Sequence, residues 1–315
     1  MYKHLTTVFL CRFMLAGVIF MPSVSMSADH CTNPKEYTVD KRCYVTDEQK
    51  KEKPYNAVVA LVHDDGERPY CTGTIVKDPN GKPYLYTAKH CTGNENYMAS
   101  SELTIKLQDG RKLSVTKLAV GDYNIEHDEN FNGDWAIYSI VNSDVPMVEK
   151  STKRGIDEYD ITKREIDVYD ARVVGYGSLK IMSDAEIAEF KSRYLTYLKD
   201  EKNIDAKGDE NVYGFYRGGV NTYGNAYVTN FLDKEYDYWS SLTDDTSKLK
   251  LSHCKYGATG LKVECQGWGG NSGGPIFDGR GNIMAILTRS TRAIGGSIHA
   301  GSDSWFISGI SLLEK

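Results

Sequence analysis

The chain has 315 residues, of which 40% are hydrophobic and 26% charged, and its formal net charge is −5. This composition is typical of a globular protein with a sizeable core, and it excludes a mainly disordered chain. The basic residues form no long cluster, so the sequence does not indicate a nucleic-acid partner.

The first 27 residues differ in character from the rest of the chain. Lys3 and Arg12 flank or interrupt the apolar run VFLCRFMLAGVIFM, and the small residues SVSMSA follow. This pattern predicts a secretory signal peptide cleaved near Ser27–Ala28. The alternative is a membrane anchor, but the run is shorter than the roughly 20 residues a span needs. We therefore expect a secreted or periplasmic protein with no membrane association after the signal is removed.

Six cysteines remain beyond this segment, and an even number in an oxidising compartment favours disulfides. They fall into three local pairs, which predict the disulfides Cys31–Cys43, Cys71–Cys91 and Cys254–Cys265. A metal site is the alternative, but no Cys-x-x-Cys spacing occurs and the histidines are scattered. We expect no metal and no other cofactor.

Residues 28–53 are polar and read as an N-terminal extension or pro-segment. From Pro54 the chain consists of short β-branched or aromatic runs, separated by turn residues such as DPNG at 78–81 and QDGR at 108–111. Such a pattern predicts an antiparallel all-β sandwich or barrel rather than alternating strands and helices.

One helix is predicted after the run ARVVGYG. Ser183 and Glu186 form a capping-box pattern, and apolar residues recur at helical spacing up to about Lys199. A polar, tyrosine-rich stretch follows, which we interpret as a structured insertion; a sugar- or peptide-binding surface is the alternative. Strand-like runs then resume in KLKLSHCKY, LKVECQG, GNIMAILTRS and SWFISGIS.

The glycine-rich stretch GWGGNSGGP surrounds Ser272. A nucleophilic serine needs a neighbouring base, a group that orients this base, and backbone N–H donors for the oxygen anion that forms. Glycines allow a tight loop whose amides point into one concavity, and Gly270 and Ser272 are the candidate donors. His90 directly follows a β run and Asp134 directly precedes one, so they are the candidate base and acid. Purely structural roles for both remain open at this point.

Three blocks together resemble the signature motifs of trypsin/chymotrypsin-like serine proteases, in that family's chain order. They are TAKHC at 87–91, DWAIY at 134–138 and GNSGGP at 270–275. The resemblance implies that His90 is the general base, Asp134 its orienting acid and Ser272 the nucleophile, with an oxyanion hole formed by the Gly270 and Ser272 amides. It also implies two six-stranded antiparallel β-barrels, and CTGTIV at 71–76 supports the Cys71–Cys91 pairing.

The same resemblance divides the chain into a protease domain at 54–315, with barrel 1 at about 54–150, barrel 2 at about 165–315 and a helix-containing insertion at about 178–250. Asn271 stands where digestive trypsins carry Asp, so the chain looks closer to the bacterial glutamyl-endopeptidase-like branch. Alignment to the family assigns the substrate pocket to Gln266, Thr288, Arg289 and Ser290. Gln266 at its floor gives no support to a trypsin-like preference for basic residues.

The resulting hypothesis is a secreted serine endopeptidase that acts on protein or peptide substrates. The alternative is an inactive homologue that uses its cleft for binding. An α/β-type serine hydrolase is excluded because it requires a G-x-S-x-G elbow and the order Ser, Asp, His.

Overall fold

The structure is a computed structural model of the whole chain. It describes residues 40, 42–63, 67–93, 99–122, 133–142, 144–151, 170–204, 230–231, 234–243, 245–256, 262–290 and 301–309. The predicted signal peptide and the tyrosine-rich run at 214–227 lie outside the described residues. Among the described residues, no helix combines the length and apolar character needed to cross a membrane.

The strands of the first half, from the N-terminus onward, are β1 Arg42–Tyr44, β2 Val58–Val62, β3 Pro69–Lys77, β4 Pro83–Thr87, β5 Glu102–Lys106, β6 Lys112–Val120 and β7 Ala136–Ser139. All of them except β1 form a closed, six-stranded antiparallel barrel with the strand order β2-β3-β4-β7-β6-β5. Apolar side chains from these strands fill the barrel, among them Val59, Leu61, Ile75, Leu85 and Ile105. The prediction of an antiparallel sandwich or barrel from short β-branched or aromatic runs is confirmed for this half, as a barrel.

Both predicted hairpin turns occur, and each depends on a glycine. Gly81 and Gly110 have φ of 83° and 87°, a conformation that other residues rarely adopt. The Gly81 N–H donates to the Asp78 carbonyl and the Gly110 N–H to the Leu107 carbonyl, so each turn closes on itself. The turns connect β3 to β4 and β5 to β6, which fixes the register of these pairs.

The strands of the second half are β8 Asp170–Gly175, β9 Lys250–Tyr256, β10 Lys262–Trp268, β11 Pro275–Phe277, β12 Ile283–Ser290 and β13 Gly301–Gly309. Together with β1 they form a seven-stranded antiparallel sheet with the order β1-β9-β10-β13-β12-β11-β8, in which β8 also pairs with β9. The expected second six-stranded barrel stays a prediction. The seventh strand, β1, comes from the region that the sequence indicated as an extension.

The two sheets share one hydrophobic core. Val58, Val62 and Val76 of the barrel belong to the same buried cluster as Val174 and Ile286 of the second sheet. Because their interface is apolar and fully buried, the two sheets hold the residues between them in fixed relative positions.

The predicted helix is confirmed as α1, Asp184–Lys202, and its capping box forms between Ser183 and Glu186. A second helix, α2, covers Tyr236–Thr243 within the stretch that we interpreted as a structured insertion. Phe190 and Tyr194 of α1 pack with Phe231 and with Trp268 at the end of β10. The helices therefore contact the segment that leads into the glycine-rich loop.

Candidate active site

His90 is held where β4 ends. Thr87 is the last residue of β4, and Lys89–Cys91 forms a single 3-10 turn. The structure contains the Cys71–Cys91 disulfide, with a Cα–Cα distance of 6.0 Å, which ties this turn to β3. The imidazole is 28% exposed, so it is accessible from solvent while its backbone is fixed.

Asp134 lies beside His90 because of the register between β4 and β7. Thr87 pairs with Ala136, so the residues just after β4 and just before β7 meet at one edge of the barrel. Asp134 is 1% exposed, and its Oδ1 accepts the His90 backbone N–H at 3.0 Å. Its Oδ2 lies 2.7 Å from His90 Nδ1. Since an ionised carboxylate can only accept, this contact favours the tautomer with the proton on Nδ1 and leaves Nε2 as an acceptor.

Ser272 lies in the loop of residues 269–274 between β10 and β11, which we call the serine loop. Its Oγ donates to the Thr288 carbonyl at 3.3 Å. The Cys91 Sγ is 3.7 Å from both the Ser272 carbonyl oxygen and His90 Nε2. The histidine ring and the serine backbone therefore flank the same sulfur atom.

Two glycines of this loop cannot be replaced without strain. Gly270 and Gly273 have φ of 96° and 77°. A Cβ on Gly270 would lie 2.3 Å from the Tyr176 carbonyl oxygen, and one on Gly273 would lie 2.2 Å from the Thr72 carbonyl oxygen. The glycine-rich sequence thus allows the loop to approach the backbone of both sheets.

The two amides proposed as the oxyanion hole have no acceptor among the described residues. The N–H groups of Gly270 and Ser272 donate to none of the described groups, and these are the amides proposed from the sequence as the oxyanion hole. The N–H groups of Asn271, Gly273 and Gly274 each donate to a backbone carbonyl of the chain. This pattern leaves the two donors on either side of Asn271 available to an external oxygen.

Thr72 joins the barrel to the serine loop, a role that the sequence did not reveal. Its Oγ1 donates to the Gly270 carbonyl at 2.7 Å and accepts the Tyr176 N–H at 2.9 Å. Its own N–H donates to the Ser272 carbonyl at 2.9 Å, and its carbonyl accepts the Thr87 hydroxyl at 2.7 Å. No local signal distinguishes Thr72 from the neighbouring Thr74, so only the fold could identify it.

The described residues include only some of the remaining predicted positions. Thr288 is fully buried and contacts Ser272, whereas the side chains of Gln266, Arg289 and Ser290 are outside the described residues. Cys43 and Cys254 are each disulfide-bonded. Their predicted partners, Cys31 and Cys265, are not among the described side chains, so both pairings stay predictions.

A cavity of about 610 Å³ opens beside His90 on the barrel. Its lining includes His63, Tyr70, Glu102 and the Cys71–Cys91 disulfide. Cys71, His90 and Cys91 also form a cluster of potential metal ligands among the described residues. The two sulfurs are joined to each other, so they are not available as the thiolates that bind metals.

The family model described as lysyl endopeptidase, C-terminal domain, matches residues 26–149, which include the complete barrel. No curated protein matches the chain in sequence. The chain is similar in structure to the serine endoprotease from Yersinia pestis, with 15% identity, a TM-score of 0.43 and coverage of 85% of this chain and 64% of that one. It thus spans less than two thirds of that protein's length.

A further similar structure is the Rv3671c protease of M. tuberculosis H37Rv in its inactive form, with 11% identity, a TM-score of 0.38 and coverage of 82% and 86% of the two chains. The family model covers less than half of the chain, and together with the three motifs it supports a relation of the chain to the trypsin-like serine proteases. The finer resemblance to the glutamyl-endopeptidase-like branch stays a prediction.

Proposed function

We propose that the chain is a secreted serine endopeptidase that cleaves peptide bonds through an acyl-enzyme intermediate, with His90 as general base, Asp134 as its orienting acid and Ser272 as nucleophile. The main observation in favour is the double contact of the buried Asp134 with His90, through the backbone N–H and through Nδ1. A carboxylate in this position orients the ring and stabilises the imidazolium that forms during the reaction.

The proposed reaction begins when the substrate carbonyl carbon meets Ser272 Oγ. His90 Nε2 takes the hydroxyl proton as the Oγ–C bond forms, and the carbonyl π electrons move to the oxygen. The Gly270 and Ser272 N–H groups donate to this oxygen anion. The intermediate collapses as the C–N bond breaks and His90 returns the proton to the departing amine. Water then repeats the sequence on the acyl-serine and releases the acid.

The domain layout proposed for this activity has two barrels with the site between them. The strands β9, β10, β13, β12, β11 and β8 pair in this order, and β8 also pairs with β9. This last pairing connects the final strand of the series to the first, which supports a second barrel. Export is supported by the Cys71–Cys91 disulfide, since such bonds persist in oxidising compartments.

We propose protein or peptide substrates without a stated residue preference. The family name lysyl endopeptidase refers to the match over residues 26–149. The predicted pocket residues Gln266, Thr288, Arg289 and Ser290 all lie beyond that match, so it carries no argument for cleavage after lysine. A peptide-library digest read by mass spectrometry would define the preference.

The proposal is tested by treating the purified mature protein with a fluorophosphonate and mapping the labelled residue. We expect labelling at Ser272 and none in Ser272→Ala. For Asp134→Asn we expect the turnover of an ester substrate to fall by about 10⁴-fold, because the wrong histidine tautomer would face the serine. His63→Ala is the matched control, since His63 lines the same cavity but is not assigned a catalytic role. A folded protein that is not labelled, with or without residues 28–39, would contradict the proposal.

A further inference from the structure

The region that the sequence indicated as an extension includes residue 40 and residues 42–45, which we call the N-terminal segment. We propose that this segment is a permanent part of the active enzyme and positions the oxyanion amides of the serine loop, so that it is not a removable pro-segment. The inference rests on the proposed function, because it concerns the same oxyanion hole.

The first contact of the segment is a buried ion pair that holds residues 179–182. Arg42 Nη2 lies 2.8 Å from Asp40 Oδ2, and both side chains are almost fully buried. The same guanidinium donates to the Leu179 carbonyl at 3.1 Å and to the Lys180 carbonyl at 2.9 Å, while Asp40 Oδ2 accepts the Met182 N–H at 3.1 Å. The charges are therefore compensated by each other and by the backbone they hold, which is the condition under which a buried pair is tolerated.

The second contact runs through Tyr44. Its hydroxyl donates to Asp245 Oδ2 at 2.6 Å and accepts the Ile181 N–H at 3.0 Å. Burial, followed by the bond to Asp245, raises the pKa of this phenol, so the hydroxyl keeps its proton at neutral pH. The Asp245 carbonyl in turn accepts Lys250 Nζ at 2.6 Å, and the same ammonium donates to the Gly177 carbonyl at 2.7 Å.

Residues 177–182 transmit these contacts to the serine loop. The Ser178 N–H donates to the Gly269 carbonyl at 2.7 Å, directly before the Gly270 amide. Gly177 packs so closely on the loop that a Cβ there would lie 2.1 Å from Asn271 Oδ1. The Arg42 guanidinium also lies over the Trp268 ring, 5.6 Å from its centroid. The N-terminal segment thus contacts Trp268 directly and the peptide before Gly270 through one intermediate.

A removable segment would leave this arrangement incomplete. Without the segment, the Leu179 and Lys180 carbonyls and the Met182 N–H lose these partners, and the Ile181 N–H loses its bond to Tyr44. Lys250 and Asp245 still hold Gly177 and Ser178, so the Ser178–Gly269 bond would hold the serine loop to a support that is fixed at fewer points. Oxyanion donors contribute fully only when their positions are fixed before the reaction.

The test compares two Asp-x-Arg pairs with the same spacing. Arg42→Met removes the buried guanidinium, and Arg111→Met removes its exposed counterpart, which pairs with Asp109 on the barrel. For Arg42→Met we expect the rate of fluorophosphonate labelling at Ser272, and kcat for a small ester, to fall by about 10- to 100-fold. This decrease is smaller than the decrease expected when one oxyanion donor is removed completely. KM should change less than twofold, Arg42→Lys should recover part of the rate, and Arg111→Met should match the wild type.

Tyr44→Phe, which removes one oxygen, keeps the test valid if Arg42→Met does not fold, as judged by near-ultraviolet circular dichroism. We expect it to lower the labelling rate at least threefold. Mass spectrometry of the labelled wild-type protein should show that residue 40 is retained. Labelling by folded Arg42→Met or Tyr44→Phe at the wild-type rate, or an active species that begins after residue 45, would overturn the inference while the proposed function stands. Failure of the wild type to label would overturn both.

Discussion

Replacing Thr72 with valine would remove the hydroxyl that joins β3 to the serine loop while keeping the shape of the side chain. Thr72 is fully buried, and its Oγ1 bonds to the Gly270 carbonyl and the Tyr176 N–H. Valine can replace neither bond, so one acceptor and one donor would lose this partner at the interface of the two sheets.

The expected cost follows from these two groups. Leaving a buried donor or acceptor unsatisfied costs about 1–3 kcal/mol, so with two such groups the free energy of unfolding should fall by roughly 2–6 kcal/mol. Thr74→Val is the matched control on the same strand. Thr74 is also fully buried, but its Oγ1 has no hydrogen-bond partner among the described residues. Removing that hydroxyl should leave stability unchanged or raise it by up to about 1 kcal/mol.

Urea unfolding of the two variants measures this difference, and the rate of fluorophosphonate labelling at Ser272 measures the effect on the site. We expect Thr72→Val to label at least tenfold more slowly under folding conditions, because the Gly270 peptide loses its contact with β3, and Thr74→Val to label normally. Equal stability of the two variants would refute the assignment of Thr72 as the link between barrel and serine loop.

Three further predictions concern packing, charge and the disulfide. Gly177→Ala should lower the free energy of unfolding by about 1–3 kcal/mol and slow the labelling of Ser272, because its Cβ would overlap Asn271. Gly279→Ala is the control, because its Cβ would meet nothing within 4 Å; it should change neither the stability nor the labelling rate in the same assays. Burial lowers the pKa of the Lys250 ammonium to about 7 from its ordinary 10.5. The unfolded chain therefore binds more protons between these values, and the free energy of unfolding should rise from pH 7 to pH 9 by at most roughly 1.4 kcal/mol per pH unit. Urea titrations at pH 7, 8 and 9 would measure this slope, which should be lost in Lys250→Met; a wild-type slope of zero or below would contradict it. Replacing both Cys71 and Cys91 with alanine should cost about 3 kcal/mol for their closed loop, measured as a lower urea midpoint with a steeper unfolding slope, because the unfolded chain loses its cross-link and exposes more surface.

The barrel strands and α1 were predictable because their signals are local. Short β-branched or aromatic runs separated by DPNG and QDGR indicate hairpins, and the Ser183–Glu186 capping box indicates where a helix begins. The proximity of His90 and Asp134 depends on the register between β4 and β7, and the sequence indicated it only through the family resemblance.

Other features depend on distant parts of the chain and have no local signature. Lys248 and Lys250 occur in the same alternating run KLKL, yet the first is 58% exposed and the second 1%. The fold supplies Lys250 with the carbonyls of Gly177 and Asp245 as buried acceptors, and the sequence around the two lysines does not indicate this difference. In the same way, Arg42–Tyr44 reads as part of a polar extension, because its strand forms only by pairing with β9.

The position of β1 has a consequence for the order of events during synthesis. The barrel is complete once residue 139 has left the ribosome, but β1 pairs with a strand that begins at Lys250. Domains generally fold as they emerge. The first strand of the described chain therefore stays unpaired while the barrel folds and becomes protected late, when β9 arrives. Protease resistance of residues 42–45 would then report that a nascent molecule has finished folding, and a chain truncated before residue 250 would expose this segment to degradation.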